Sequence, residues 1–271
     1  MTRVLNGREL ADFIKERQAK QVRNLRQEHR IIPKLCIIKS DHASVVIDTY
    51  VRMKQAYAAD ILVEVEVISC AQDEMPAAIE QANLDEAVYG IIVQLPIDRP
   101  EETDGIVAMI APAKDVDGLG PNARFVSATA EAIDWLLTGY NVELTGKQIA
   151  LLGRGRLVGG PLEKLWSERG LAVRSFDEHD TDPEYLRASD VIVTATGVPR
   201  VLMGELVKNK AVVVDAGTAS EAGVVVGDVD PALRDRDDLT ITPVKGGVGP
   251  LTVAVMFDHV IQSALIAAGK L

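Results

Sequence analysis

The chain has 271 residues, 47% of them hydrophobic but only 4% aromatic, and a formal net charge of −11. That length suits one large or two ordinary domains with a core of Val, Ile, Leu and Ala, which favours packed α/β layers over an aromatic-rich β-sandwich. The acidic balance argues against non-specific nucleic-acid binding, and two cysteines in apolar surroundings, Cys36 and Cys70, make neither a metal site nor a disulfide framework.

No signal-peptide core opens the chain and no run of about 18 apolar residues is seen, so a cytoplasmic protein outside the membrane is expected. From Gly7 to about Arg26, Leu10, Ile14, Val22 and Leu25 recur at helical spacing. A strand follows around Leu35 to Lys39, then a turn at Ser40-Asp41-His42, a helix from Ala43 to Ala58 and a β-branched strand from Ile61 to Ile68. A helix from Gln72 to Asn83 leads to a strand from Ala87 to Gln94, closed by Leu95-Pro96. Pro100 to Ile110 reads as a helix and Lys114-Asp115-Val116-Asp117-Gly118 as a polar loop. This alternation predicts a parallel sheet covered by helices.

After a helix from Ala128 to Thr138, the run Ile149 to Leu152 reads as a buried parallel strand ending in glycines: Gly153-Arg154-Gly155-Arg156-Leu157-Val158-Gly159-Gly160-Pro161. A glycine turn between strand and helix lets the backbone approach a pyrophosphate, and Pro161 suits a helix start at Gly160. The spacing, G-x-G-x-x-x-G, is one residue longer than the common dinucleotide fingerprint. Further strands are expected at Leu171 to Phe176, Asp190 to Gly197, Ala211 to Gly217 and Thr240 to Val244, and a terminal helix from Thr252 to Leu271.

Asp177 lies at the end of the second of these strands, where a carboxylate takes the ribose hydroxyls of a dinucleotide; Arg154 and Arg156 could instead attract a 2′-phosphate. Tyr50 and Lys54 are four residues apart, neighbours on one helix face. On spacing alone they are a packed ring and a surface charge; in a cleft, burial would lower the lysine's pKa and make it a proton shuttle. Gln94 is a polar residue ending an apolar strand, where ligands of open α/β sheets collect. Asp117 alone reads as a turn aspartate. The four histidines do not pair into a triad.

At these residues the sequence resembles the bifunctional methylenetetrahydrofolate dehydrogenase/methenyltetrahydrofolate cyclohydrolase family. Four motifs carry the resemblance: Tyr50-Val-Arg-Met-Lys54, Gly90-Ile-Ile-Val-Gln94-Leu-Pro96, Lys114-Asp-Val-Asp117-Gly118, and Thr242-Pro-Val-Lys-Gly246-Gly247-Val-Gly249-Pro250-Leu-Thr252. Gly146-Lys147 and the Gly153 to Pro161 turn add a fifth, and together they span nearly the whole chain. The resemblance implies an α/β fold of two domains around a cleft: a folate-binding catalytic domain, residues 1–120 and 252–271, completed by the C-terminal helix, and a Rossmann-type domain, 121–251. It implies a homodimer, a tetrahydrofolate substrate, NADP or NAD as cofactor, and no metal.

It also implies roles. Lys54 corresponds to the catalytic lysine, Gln94 to the glutamine that positions it, Tyr50 to a ring that stacks on the folate, and Asp117 to the anchor of its pterin edge. Leu95 and Pro96, with Gly246, Gly247 and Pro250, would line the folate site. Gly153, Gly155, Val158 and Gly159, with Arg154 and Arg156, would hold the dinucleotide, joined by Asp177, Thr196, Gly197, Gly217 and Thr218. The chain departs from the family pattern at Lys39-Ser-Asp-His-Ala-Ser44, at Ser127-Ala-Thr129-Ala, at Gly155, at Lys245 and at Asp177-Glu178. The last pair stands where the family often has a histidine and a serine that helps to hold a 2′-phosphate, and it tilts the expectation towards NAD or dual use. Two other readings compete: a dehydrogenase without the hydrolytic step, and a nucleotide-binding regulatory protein without turnover.

Overall fold

The structure, a computed structural model, describes residues 3–177, 180–221 and 224–270. In chain order, β1 (Arg3–Val4) is followed by α1 (Gly7–Asn24), β2 (Lys34–Ser40), α2 (Val45–Ile61), β3 (Glu64–Cys70), α3 (Met75–Leu84), β4 (Val88–Val93) and α4 (Thr103–Val107). Then come α5 (Ala128–Gly139), β5 (Ile149–Leu152), α6 (Gly159–Glu168), β6 (Val173–Phe176), α7 (Pro183–Ala188), β7 (Val191–Thr194) and β8 (Val212–Asp215). A short hairpin, β9 (Ala219–Glu221) and β10 (Val224–Val226), precedes β11 (Thr240–Ile241) and α8 (Val248–Ala267). The chain divides into two compact units: Met1–Ala11 with Thr129–Thr252, and Asp12–Ala128 with Val253–Leu271.

The first unit holds a six-stranded sheet in the order β1-β11-β8-β7-β5-β6, all its pairs parallel. From β5 the chain moves outward to β6, and then crosses to β7 on the other side of β5. Ligands of such sheets bind at this reversal, outside the carboxyl ends of β5 and β7. Both strands are buried on both faces, as their unbroken apolar runs predict. A core of Leu152, Phe176, Ile192, Val213, Leu233 and Ile241 covers one side.

The second unit holds a three-stranded parallel sheet, β3-β2-β4, with β2 central. It has its own reversal, at the carboxyl ends of β2 and β4. The chain after α4 runs beside β4 through a bridge between Ile91 and Asp115. Behind the sheet, Ile38, Met75, Ile79, Ile91 and Val107 form the core.

Several elements depart from the sequence expectation. Helix α2 runs to Ile61, and Leu62 closes it in the left-handed region at φ 65°, so β3 begins only at Glu64. Only Thr103–Val107 of the stretch from Pro100 to Ile110 is α-helix; it opens with a tighter turn at Pro100–Glu102. Helix α6 starts at Gly159, ahead of the expected start at Gly160-Pro161. Helix α8 starts at Val248, taking Gly249 and Pro250 into its first turn. Against the expectation from hydropathy, α8 is long and apolar enough to cross a membrane; most of it is buried inside the fold. Elements β1, α7, β9 and β10 were not expected at all.

Candidate active site

In the second unit, the polar residues gather at the carboxyl end of the sheet. Ser44 caps α2, its hydroxyl accepting from the N–H of Ile47 at 3.4 Å. The helix then presents Tyr50 and Lys54 one turn apart, both half-buried. Gln94 sits just past β4, held there by its N–H donating to the carbonyl of Ile38 at 2.8 Å. The Lys54 amine donates to Gln94 Oε1 at 2.6 Å, while Gln94 Nε2 donates to the carbonyl of Leu95 at 3.2 Å. The carboxamide is therefore oriented with its oxygen towards the lysine. Leu95 is half-buried and Pro96 exposed, joined by a cis peptide bond.

Asp117 comes to this cluster from the loop after α4. Burial lowers the pKa of Lys54, opposed by the charge of Asp117; burial raises the pKa of Asp117, opposed by Lys54. Both groups are thus pushed towards their neutral forms by lost hydration, and each restrains the other. The turn-aspartate role belongs to Asp115, not Asp117. Its buried carboxylate accepts from the N–H groups of Gly118 at 3.0 Å, Leu119 at 3.4 Å and Gly120 at 2.7 Å. Lys114 braces the same loop by donating to the carbonyls of Ala82, Asn83 and Asp85 at 2.7–3.1 Å, where α3 ends.

His259 of α8, left without a role by the sequence, packs against the loop that carries Asp117. Its Nδ1 is 2.8 Å from the carbonyl of Val116, and its ring stacks on Phe125 with centroids 4.3 Å apart. A lone histidine on an apolar helix carries no local signal for this.

In the first unit, the glycine turn after β5 has the geometry its spacing suggests. Gly153 adopts φ 102°, and a Cβ there would overlap the carbonyl of Ala195. A Cβ on Gly159 would overlap the carbonyl of Gly153, so the helix start closes directly over the strand end. Gly155 faces open space, and Val158 precedes the first turn of α6. This turn, kept tight by Gly153 and Gly159 at the end of a buried strand and opening a ten-residue helix, is the kind of backbone that can approach a pyrophosphate. Arg156 is exposed.

Arg154 is not available as a free cation. Its guanidinium donates to Asp177 Oδ2 at 3.2 Å, Asp180 Oδ2 at 3.1 Å and the carbonyl of Ser175 at 2.6 Å. The N–H of Asp177 donates to Asp180 Oδ1 at 2.8 Å, so Asp180 closes the turn around the arginine. The sequence reading missed Asp180. Glu178, expected to share the role of Asp177, lies outside the described residues.

Thr196 and Gly197 follow β7, and Gly217 and Thr218 follow β8, at the same carboxyl edge. Gly246 and Gly247 pack against the start of α1: a Cβ on Gly7 would overlap the carbonyl of Gly247, and the N–H of Arg8 donates to the carbonyl of Gly246 at 3.0 Å. Gly246, Gly247 and Pro250 belong to the first unit, whereas Lys54, Tyr50, Gln94 and Asp117 belong to the second.

Two family models match the chain: the tetrahydrofolate dehydrogenase/cyclohydrolase catalytic domain over residues 5–117, and the NAD(P)-binding domain of the same family over residues 127–268. The chain is 35% identical over 278 residues to the bifunctional protein FolD of Lactobacillus helveticus (strain DPC 4571), covering 97% of each. It is similar to the crystal structure of the bifunctional enzyme FolD from Campylobacter jejuni, with a TM-score of 0.92 and 30% identity over 98% of this chain and 100% of that one. The FolD of Trypanosoma brucei, solved with NADP and an inhibitor, superposes with a TM-score of 0.91 at 29% identity, covering 98% of both chains.

Proposed function

Since this chain belongs to the tetrahydrofolate dehydrogenase/cyclohydrolase family, we propose that Lys54, oriented by Gln94, moves the protons of its hydrolytic step and that Asp117 anchors the folate. The enzyme oxidises methylenetetrahydrofolate to the methenyl form with NAD(P)+ and hydrolyses that cation to 10-formyltetrahydrofolate. The observation that carries the assignment is the 2.6 Å bond between the Lys54 amine and Gln94 beside the desolvated Asp117.

In the first reaction a C–H bond of the methylene carbon breaks and its electron pair leaves with the hydrogen, pushed by the adjacent nitrogen. The bound dinucleotide supplies the two-electron acceptor. No protein acid or base is required here, only orientation. In the second reaction water adds to the methenyl carbon and loses a proton; one ring C–N bond then breaks and that nitrogen gains a proton. Lys54, whose lowered pKa makes its neutral form accessible, accepts the first proton and returns the second. Tyr50, on the same face of α2, stacks on the folate, and Leu95 and Pro96 line its site. A carboxylate destabilised by burial gains most from a ligand that brings N–H donors to it, and the amino-pyrimidine edge of a pterin offers a fork of two.

The proposal extends to the cofactor. Gly153, Gly155, Val158 and Gly159 cradle the pyrophosphate of the dinucleotide, with Thr196, Gly197, Gly217 and Thr218 at the neighbouring strand ends. Asp177 accepts from the ribose hydroxyls, so NAD is preferred over NADP. Supporting this, Arg154 is already neutralised by two carboxylates, and a 2′-phosphate would meet their charge. The catalytic domain is taken as 1–120 and 252–271 and the nucleotide domain as 121–251, except that Met1–Ala11 go with the nucleotide unit, whose sheet β1 joins. Assembly as a homodimer belongs to the same proposal and rests on the family resemblance.

The test follows methenyl formation and decay with each dinucleotide separately. NAD should give the higher kcat/KM, and Asp177→Ser should move the NAD/NADP ratio towards NADP by about tenfold, equivalent to about 1.4 kcal/mol. An unchanged ratio would remove Asp177 as the selector.

A further inference from the structure

We propose that Asp228 is a positioning residue for the dinucleotide: from outside both predicted contact loops, its carboxylate fixes the backbone of Thr196–Gly197 after β7 against Gly217 after β8. Asp228 is fully buried, just past β10. Its Oδ2 accepts from the N–H of Thr196 at 2.6 Å, the hydroxyl of Thr196 at 2.8 Å and the N–H of Gly197 at 3.3 Å. With its proton given to Asp228, the Thr196 hydroxyl uses a lone pair to accept from the N–H of Val198 at 3.0 Å. One oxygen therefore holds two consecutive residues directly, and a third through the Thr196 hydroxyl, at the carboxyl edge of the sheet.

The other side of Asp228 meets the next loop. A Cβ on Gly217 would overlap Asp228 Oδ1, so only glycine allows this approach. The acid is itself braced. Its N–H donates to Asp215 Oδ1 at 3.0 Å, and Asp215 receives Arg234 Nη2 at 2.7 Å and the N–H of Gly217 at 3.2 Å. The N–H of Asp215 donates to the hydroxyl of Thr242, beyond β11, at 2.9 Å. The ends of β7, β8 and β11 are thus joined through two buried acids and one arginine. Oδ1 of Asp228 has no hydrogen-bond partner among the described residues, and burial raises the acid's pKa, so the group serves as an acceptor without needing its charge.

This inference rests on the dinucleotide reading of Thr196, Gly197 and Gly217. Without Asp228, two backbone donors and a hydroxyl lose their acceptor, and the loop must turn to find water. The carboxamide of Asn keeps an oxygen in the Oδ2 position, and its nitrogen replaces an atom that bonds nothing. The experiment measures Kd for NAD and NADP, and KM for folate, in the wild-type protein, Asp228→Ala and Asp228→Asn. Asp228→Ala should weaken both dinucleotides by about tenfold or more, with folate KM unchanged and kcat at saturation largely kept. Asp228→Asn should bind as the wild type does.

Folded Asp228→Ala with wild-type dinucleotide affinity would overturn the inference, as would Asp228→Asn impaired equally. If Asp228→Ala does not fold, Thr196→Val, which removes only the hydroxyl's two bonds, should weaken both dinucleotides several-fold; unchanged binding would overturn it. A wild-type protein that bound neither dinucleotide would sink the underlying reading instead.

Discussion

At Lys54 the two reactions make different demands on one side chain. Lys54→Met keeps the aliphatic bulk and removes the amine. Cyclohydrolase activity should fall by about 10²–10⁴-fold, the usual worth of a general acid–base group, while dehydrogenase activity survives and the methenyl intermediate accumulates. The neutral amine is the base, and burial brings its pKa below the ordinary 10.5, so the wild-type hydrolytic rate should rise with pH through that lowered value. The limb should vanish in Lys54→Met; equal loss of both activities would leave Lys54 only a substrate-positioning role. Asp117 carries the opposite trade. Its folded pKa is raised above 3.8, so the folded state binds the proton more tightly than the unfolded chain. The ionised form then costs stability as pH rises from the ordinary carboxylate range through the folded pKa. Asp117→Asn should therefore raise Tm at neutral pH, the gain shrinking in acid, while folate KM rises. A fall in Tm at neutral pH would show that Lys54 and other partners outweigh the desolvation.

One carboxylate, Asp134, ties α5 to Trp166 and Arg169 at the end of α6. Trp166 is fully buried on α6, and its indole N–H donates to Asp134 Oδ1 of α5 at 2.9 Å. Arg169, half exposed, covers the same carboxylate with contacts of 2.8 and 2.9 Å. Asp134→Ala strands a buried donor, a cost of about 1–3 kcal/mol, whereas an exposed ion pair contributes about 0–1 kcal/mol. Thermal unfolding should therefore show a larger drop in Tm for Asp134→Ala than for Arg169→Ala. Equal drops would make the ion pair, not the indole bond, the tie. The same logic of local signal explains α7. Asp182 caps it, accepting from the N–H groups of Glu184 and Tyr185 at 3.1 Å, and Pro183 takes the first helical position. The Asp-Pro start was legible, but a six-residue helix offers too little periodicity to be seen.

Over the whole molecule, what the sequence alone determined is what local chemistry encodes. Apolar runs marked the buried strands β5 and β7, and the glycine turn marked the strand-to-helix junction, because a Cβ at Gly153 or Gly159 has nowhere to go. The order of motifs identified the family and so placed Tyr50, Lys54, Gln94 and Asp117 among the candidates. The bond from Lys54 to Gln94 joins residues 40 apart, and only the crossing from α2 to the end of β4 makes it. Strand β1 has two residues, too short for any pattern, and exists because β11 offers it a parallel edge more than 200 positions later. Asp180 around Arg154, His259 against Val116, and the Arg234–Asp215–Asp228 brace are likewise pairings of distant positions, and each of these side chains alone has the composition of an ordinary loop or helix residue. Periodicity and turn chemistry act over a few residues of chain, so they specify elements; desolvation and hydrogen-bond satisfaction act through space, so the protonation and orientation of the site were decided only by the tertiary structure.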